Sequence, residues 1–137
     1  MKIGNLADQN VALLKKVLDL RADREKVIAS NIANSETPGY SPSRLHFEDQ
    51  LKQAVNQQGF AAQTTHAAHI PIAGNHVSAV QGVITTEPDT TGIGDRNSVS
   101  LDKEMLALSQ NELLYETAAQ LLKKKLSIKK YVISGGQ

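Results

Sequence analysis

The sequence predicts a mainly α fold. Long N- and C-terminal helices pair as an antiparallel, coiled-coil-like hairpin, with a loosely structured or small β-containing middle segment between them. Three observations predict it. Apolar residues recur at helical spacing over both ends of the chain. The stretch from 52 to 99 has no sustained period and is rich in Gln, Asn, Thr, Ala, Gly and His. The chain is 40% hydrophobic but only 4% aromatic, with no Trp, so its apolar mass is Leu, Ile, Val and Ala gathered at the two ends. The chain therefore divides into residues 1–34 (N-terminal helix), 35–51 (a turn and short segment), 52–99 (middle) and 100–134 (C-terminal helix).

In the first segment Leu6, Leu13, Leu20 and Val27 stand seven apart. Leu14, Val17, Leu18, Ile28 and Ile32 flank them, while Lys15, Lys16, Asp19, Asp23, Arg24 and Lys26 fall largely outside the stripe. A sustained seven-residue repeat favours packing on another helix at a shallow angle. The helix is expected from about Asp8 to Ala33, with Asp8 or Asn10 as a cap.

The second segment stops that helix. Ser30, Asn31, Asn34, Ser35 and Thr37 carry side chains that compete for backbone hydrogen bonds. Pro38 biases Thr37 away from helical geometry, and Gly39 can take the positive φ of a following turn. Asn31 and Asn34 are placed to bond backbone groups at the helix end or on a neighbouring molecule. Tyr40 can bury its ring while its hydroxyl finds a partner. Ile32 and Ala33 complete the run.

In the middle segment Val77, Val80, Val83 and Ile84 can build one short strand or hairpin, with turns at Gly74-Asn75 and Pro88-Asp89. The segment is expected to be disordered or loosely folded in the free chain and to order in an assembly. The last segment opens with Ser100 as N-cap and acidic residues in its first turn. Leu101, Met105, Leu108, Tyr115, Leu122 and Leu126 form its stripe. Leu106, Leu113, Leu114, Ala118, Leu121 and Ile128 widen it. The packing residues expected between the helices are thus Leu6, Leu13, Val17, Leu20, Val27, Leu101, Leu108, Tyr115 and Leu122. A two-helix hairpin buries only part of two such wide stripes, so the remainder suits neighbouring molecules.

The remaining features exclude more than they suggest. A net charge of +1 gives no argument for nucleic acid as partner. With no cysteine there is no disulfide framework and no thiolate metal site. No secretory signal peptide is expected from the residues after Met1-Lys2, and no run approaches the roughly 18 apolar residues of a membrane span. His66, His69 and His76 have no nearby carboxylate and read as solvated loop histidines. Gly92-Ile93-Gly94 lacks the third glycine of a nucleotide fingerprint, and Glu112 and Glu116 read as a solvated face. No catalytic site, cofactor, metal or small-molecule substrate is expected.

The run from Ser30 to Tyr40 closely resembles the N-terminal signature of bacterial flagellar rod, hook and hook–filament junction proteins. The resemblance extends over Leu6–Leu51 and Leu101–Ile133, and the run Glu112-Leu113-Leu114-Tyr115-Glu116-Thr117 is similar to short, proximal-rod members. It implies a structural subunit of the flagellar basal body, exported without cleavage by the flagellar type III apparatus. There it would build a hollow, torque-transmitting shaft through the periplasm. The implied partners are other rod subunits, the rod–membrane-ring junction protein, the export gate and further copies of itself. On the same resemblance Asn31, Ile32, Ala33, Asn34, Thr37, Pro38, Gly39 and Tyr40 form an assembly signature. Phe47 and Leu51 resemble a Phe-x-x-x-hydrophobic element for docking on the export gate, and equally can pack the start of a short helix. The rival readings are a sibling rod subunit and a non-flagellar coiled-coil adaptor.

Overall fold

The computed structural model describes residues 3–59, 77–88, 94 and 96–135, with the side chains of 3–8 and 57–59 left out. Its elements are α1 (Ile3–Ala33), β1 (Ser43–His46), α2 (Glu48–Gly59), β2 (Val83–Thr86) and α3 (Leu101–Ile133). The Leu6 side chain, His66, His69, His76, Gly74-Asn75, Asp89 and Gly92-Ile93 lie outside the described residues.

The two long helices pack together, as the sequence predicts, and they run antiparallel. Asn31 near the end of α1 meets Glu104 near the start of α3, and Arg21 further back meets Asn111 further on. α1 begins at Ile3, earlier than the expected Asp8, because nothing in Ile3-Gly4-Asn5-Leu6-Ala7 stops a helix. α1 leaves the helix through tightened turns. The Asn34 N–H reaches the carbonyls of Ser30 and Asn31, and the Ser35 N–H that of Ile32. Thr37-Pro38-Gly39-Tyr40 then closes with the Tyr40 N–H on the Thr37 carbonyl at 3.2 Å. Gly39 sits at φ +74°, the value a turn with proline at its second position requires of its third.

β1 and β2 form an antiparallel ribbon in which Leu45 faces Ile84 and His46 faces Val83. Val83 and Ile84 build the expected strand, whereas Val77 and Val80 sit outside it, buried, Val77 within a turn. A lone two-stranded ribbon is marginal in water. This one is held down by α1, where Arg24 donates to the Leu45 carbonyl from Nη2 at 2.6 Å and Nε at 3.1 Å. Gly82, at φ +75°, lets the chain enter β2 against β1. A Cβ there would stand 3.0 Å from Leu45 Cδ1 and 3.2 Å from the His46 carbonyl oxygen.

The apolar core lies off the α1–α3 seam. It joins Leu20 of α1 to Leu45, Phe47, Ala54, Val77 and Val80, with Leu13, Val27 and Leu51 packed on its edge. Burying side chains such as Leu20 and Phe47 contributes about 1.5–3 kcal/mol each. Arg24 stacks on the Phe47 ring at 4.3 Å and Arg21 at 5.6 Å, so two cations cap this core on the α1 side.

The α3 side of the seam corrects the expected stripe. Its buried residues are Glu104, Asn111 and Ala118, seven apart. Leu108 and Leu122 flank them half-buried, while Leu101 and Tyr115 are exposed. Leu101 stands at the helix start, and the width of the apolar stripe hides which of its edges turns inward.

Candidate assembly site

Two features stand out, and both arise where α1 ends. The first is a polar latch around the signature turn. Asn31 is fully buried and uses its whole hydrogen-bonding capacity. Its Nδ2 donates to the Ser43 carbonyl at 2.8 Å and to Glu104 Oε2 at 2.9 Å. Its Oδ1 accepts from the Ser43 N–H at 2.9 Å and the Tyr40 hydroxyl at 3.2 Å. The Ser43 N–H can only donate, which fixes the amide's orientation. One side chain thereby ties α1 to the turn, to the start of β1 and to α3.

Glu104, with no exposed surface, is the second hub. Its Oε1 lies 2.7 Å from Arg44 Nη2, a close charge pair without hydrogen-bond alignment, and Arg44 Nε stands 3.7 Å from Glu87 beyond β2. A buried carboxylate is costly unless paired. Here the cation comes from β1 and the amide from α1, so the buried carboxylate is compensated only when three segments are in place.

The turn itself is clasped from the far side. Asn97 Nδ2 lies 3.0, 2.8 and 2.8 Å from the carbonyls of Asn34, Ser35 and Thr37. These carbonyls belong to the turn that follows Ala33, the last residue of α1. Asn34 turns its own side chain back to the Ser30 carbonyl at 2.8 Å and accepts from Thr37 Oγ1 at 3.2 Å. Ile32 is half-buried, and Ala33, Thr37, Pro38 and Gly39 are exposed on the rim.

Phe47 and Leu51 belong to the core and to the first turn of α2, where the Leu51 N–H donates to the Phe47 carbonyl at 2.9 Å. The folded chain does not present Phe47, which is 2% exposed. Glu48 follows it and forms a two-pronged pair with Arg24 at 2.5 and 2.7 Å. Burial pushes the Glu48 carboxyl up. The Arg24 hydrogen bond, the backbone N–H groups of Glu48 and Phe47 and the Arg24 charge overcome this and hold it at about 2. A depressed carboxyl contributes its stability above its ordinary value of 4.5 and loses it as pH falls toward about 2. The parent chain is therefore expected to lose melting temperature between those two values. Glu48→Gln is expected to be less stable at neutral pH and flatter across that window, which thermal melts at stepped pH would show.

The second feature is the outward face of α3. Leu106, Leu113, Leu121, Ile128 and Tyr131 are each about half exposed or more. Leu106 follows the inward Glu104 by two residues, and Leu113 follows Asn111 by two. At 3.6 residues per turn that is about 200° of rotation, the opposite side of the helix. An exposed apolar stripe of this length marks a surface that meets another molecule.

Several of these residues are hidden in the sequence. Glu104 reads as a first-turn acid that suits the helix dipole. Asn97 reads as loop. Asn111 carries the one available signal, being the sole Asn within α3 and a poor helix former among leucines.

Comparison with known proteins places this arrangement. A family model described as "Flagella basal body rod protein" matches residues 18–40, the second half of α1 and the signature turn. The class is thus a structural rod protein of the flagellar basal body, and not an enzyme. The chain is 32% identical over 120 residues to flagellar basal body rod protein FlgB of Aeromonas hydrophila, covering 88% of this chain and 89% of that one. It is 31% identical over 134 residues to FlgB of Salmonella typhimurium, covering 94% and 96%, and 31% identical over 118 residues to FlgB of Bacillus subtilis, covering 85% and 88%. The chain belongs to the FlgB family of flagellar basal body rod proteins. Among the described residues no three His, Asp or Glu side chains gather as a metal site, and no helix is long and apolar enough to cross a membrane.

Proposed function

We propose that this chain is a subunit of the proximal rod, exported by the flagellar type III apparatus and built into the periplasmic shaft. Its α1–α3 pair forms the shaft wall. The observation that carries the reading is the outward apolar face of α3, from Leu106 to Tyr131, which has no cover within the described residues. Helical arrays satisfy such a face by repeating one head-to-tail contact from subunit to subunit. The polar latch serves the same end differently. It fixes where α1 stops, so every subunit offers its neighbours the same surface. Other rod subunits and further copies of this chain are the partners of the α3 face. The rod–membrane-ring junction protein and the export gate complete the set. On this reading Asn31, Ile32, Ala33, Asn34, Thr37, Pro38, Gly39 and Tyr40 act in assembly by holding the turn. Phe47 and Leu51 are available to the export gate only while the chain is unfolded.

The test is deletion of the gene with plasmid complementation, scored by swimming and by electron microscopy of purified basal bodies. Rings without rod or hook, restored by the plasmid, are the expected result. Normal rods and swimming after deletion would overturn the reading.

A further inference from the structure

We infer that Glu104 and Asn111 form a register lock that sets both the stagger of α3 along α1 and its rotation, so that the apolar face of α3 stays outward. α3 is apolar on several sides, and apolar contact alone does not choose among them. The face that packs on α1 nevertheless carries a carboxylate and an amide at 0% and 2% exposure, while Leu106 and Leu113 stand at 61% and 65%. A helix pair governed by apolar area alone would turn the leucines inward.

The polar contacts are specific to one alignment. Glu104 Oε2 accepts from Asn31 at 2.9 Å, and Asn111 Nδ2 donates to the Arg21 backbone carbonyl at 2.9 Å. Asn111 Oδ1 lies 3.4 Å from Arg21 Nη1, so this amide meets one residue of α1 through both its ends. Sliding α3 by one heptad, about 10.5 Å, would separate both pairs at once and leave a carboxylate buried without its partners. A half-rotation would remove both from α1 altogether. Buried polar groups at seam positions specify helix register in this way at some expense of stability. The lock rests on the geometry of the folded chain. Its value for building a rod rests on the function proposed above.

The chain has no cysteine, so register can be read by cross-linking. The Asn31–Glu104 and Arg21–Asn111 contacts bring Leu18 of α1 level with Tyr115 of α3, which makes Leu18→Cys with Tyr115→Cys the aligned pair. Leu18→Cys with Leu108→Cys, and with Leu122→Cys, report a slide of one heptad in either direction. With a short bis-maleimide on the isolated chain, the aligned pair is expected to exceed either displaced pair at least tenfold. In the Glu104→Leu, Asn111→Leu background that ratio is expected to fall below threefold, with helicity by circular dichroism kept. A ratio unchanged in that background overturns the lock, whatever the gene deletion shows. Should the double variant lose its helicity, Asn111→Leu alone leaves the signature turn's carboxylate in place. The same fall or persistence of the ratio then decides.

Discussion

Asn31→Ala is expected to remove about 3–5 kcal/mol of unfolding free energy, as much as truncating a core aromatic. The loss does not come from a cavity, because an amide is small. It comes from what remains behind. The Ser43 N–H and carbonyl lose their partner at the start of β1, and Glu104 Oε2 loses the hydrogen-bond donor it has among the described residues. Each buried group left unsatisfied costs about 1–3 kcal/mol, and a charged one lies at the upper end. Domains of this size hold only about 5–15 kcal/mol in total, so a measurable unfolded fraction is expected at 37 °C. Urea titration followed by circular dichroism gives the number. Asn34→Ala supplies the contrast: the Asn34 side chain bonds locally, to Ser30 and Thr37 near the surface, and its loss is expected to cost about 1 kcal/mol or less. Equal costs for the two asparagines would show that the latch does not centre on Asn31.

Leu113→Asp is expected to do the reverse, leaving the isolated chain nearly intact and abolishing swimming. Leu113 is 65% exposed and faces away from α1, so its replacement disturbs little of the internal packing. The intrinsic cost of Asp in a helix is about 0.7 kcal/mol relative to the best residue. In an array the same side chain recurs at every subunit contact, so one buried, unpaired carboxylate is repeated along the whole shaft. Motility in soft agar and basal-body electron microscopy would be read beside a thermal melt of the purified chain. Leu113→Met keeps the position apolar and is expected to swim as the parent does. Swimming by Leu113→Asp at parental speed would show that this face is not an assembly surface.

The two substitutions separate what keeps the chain folded from what it offers its neighbours. The first acts on residues that close inward around the end of α1, the second on residues that the fold turns outward. The family match covers Leu18 to Tyr40, the part of the chain where helix, turn and latch meet.

Much of this was legible in the residues themselves. The stop at Asn34 to Gly39 follows from side chains that bond their own backbone and from a proline that bars further helix. The two long helices follow from apolar spacing over thirty residues, a signal too sustained to arise in a loop. β1 was not legible, since Ser-Arg-Leu-His has no alternation to betray a strand. It is a strand because β2, Arg24 and Arg44's partners hold it there.

The residues alone pointed to the two long helices, to the stop after Ala33 and to the surplus of apolar surface, because each is set by neighbours within a few positions along the chain. Which side of α3 faces α1 was settled by long-range contacts. Local periodicity carries no information about rotation when a stripe is this wide. The choice fell to Glu104 and Asn111, whose partners Asn31, Arg44 and Arg21 lie sixty to ninety residues away in sequence. A buried carboxylate reads as a surface residue until the cation and amide that satisfy it are brought alongside.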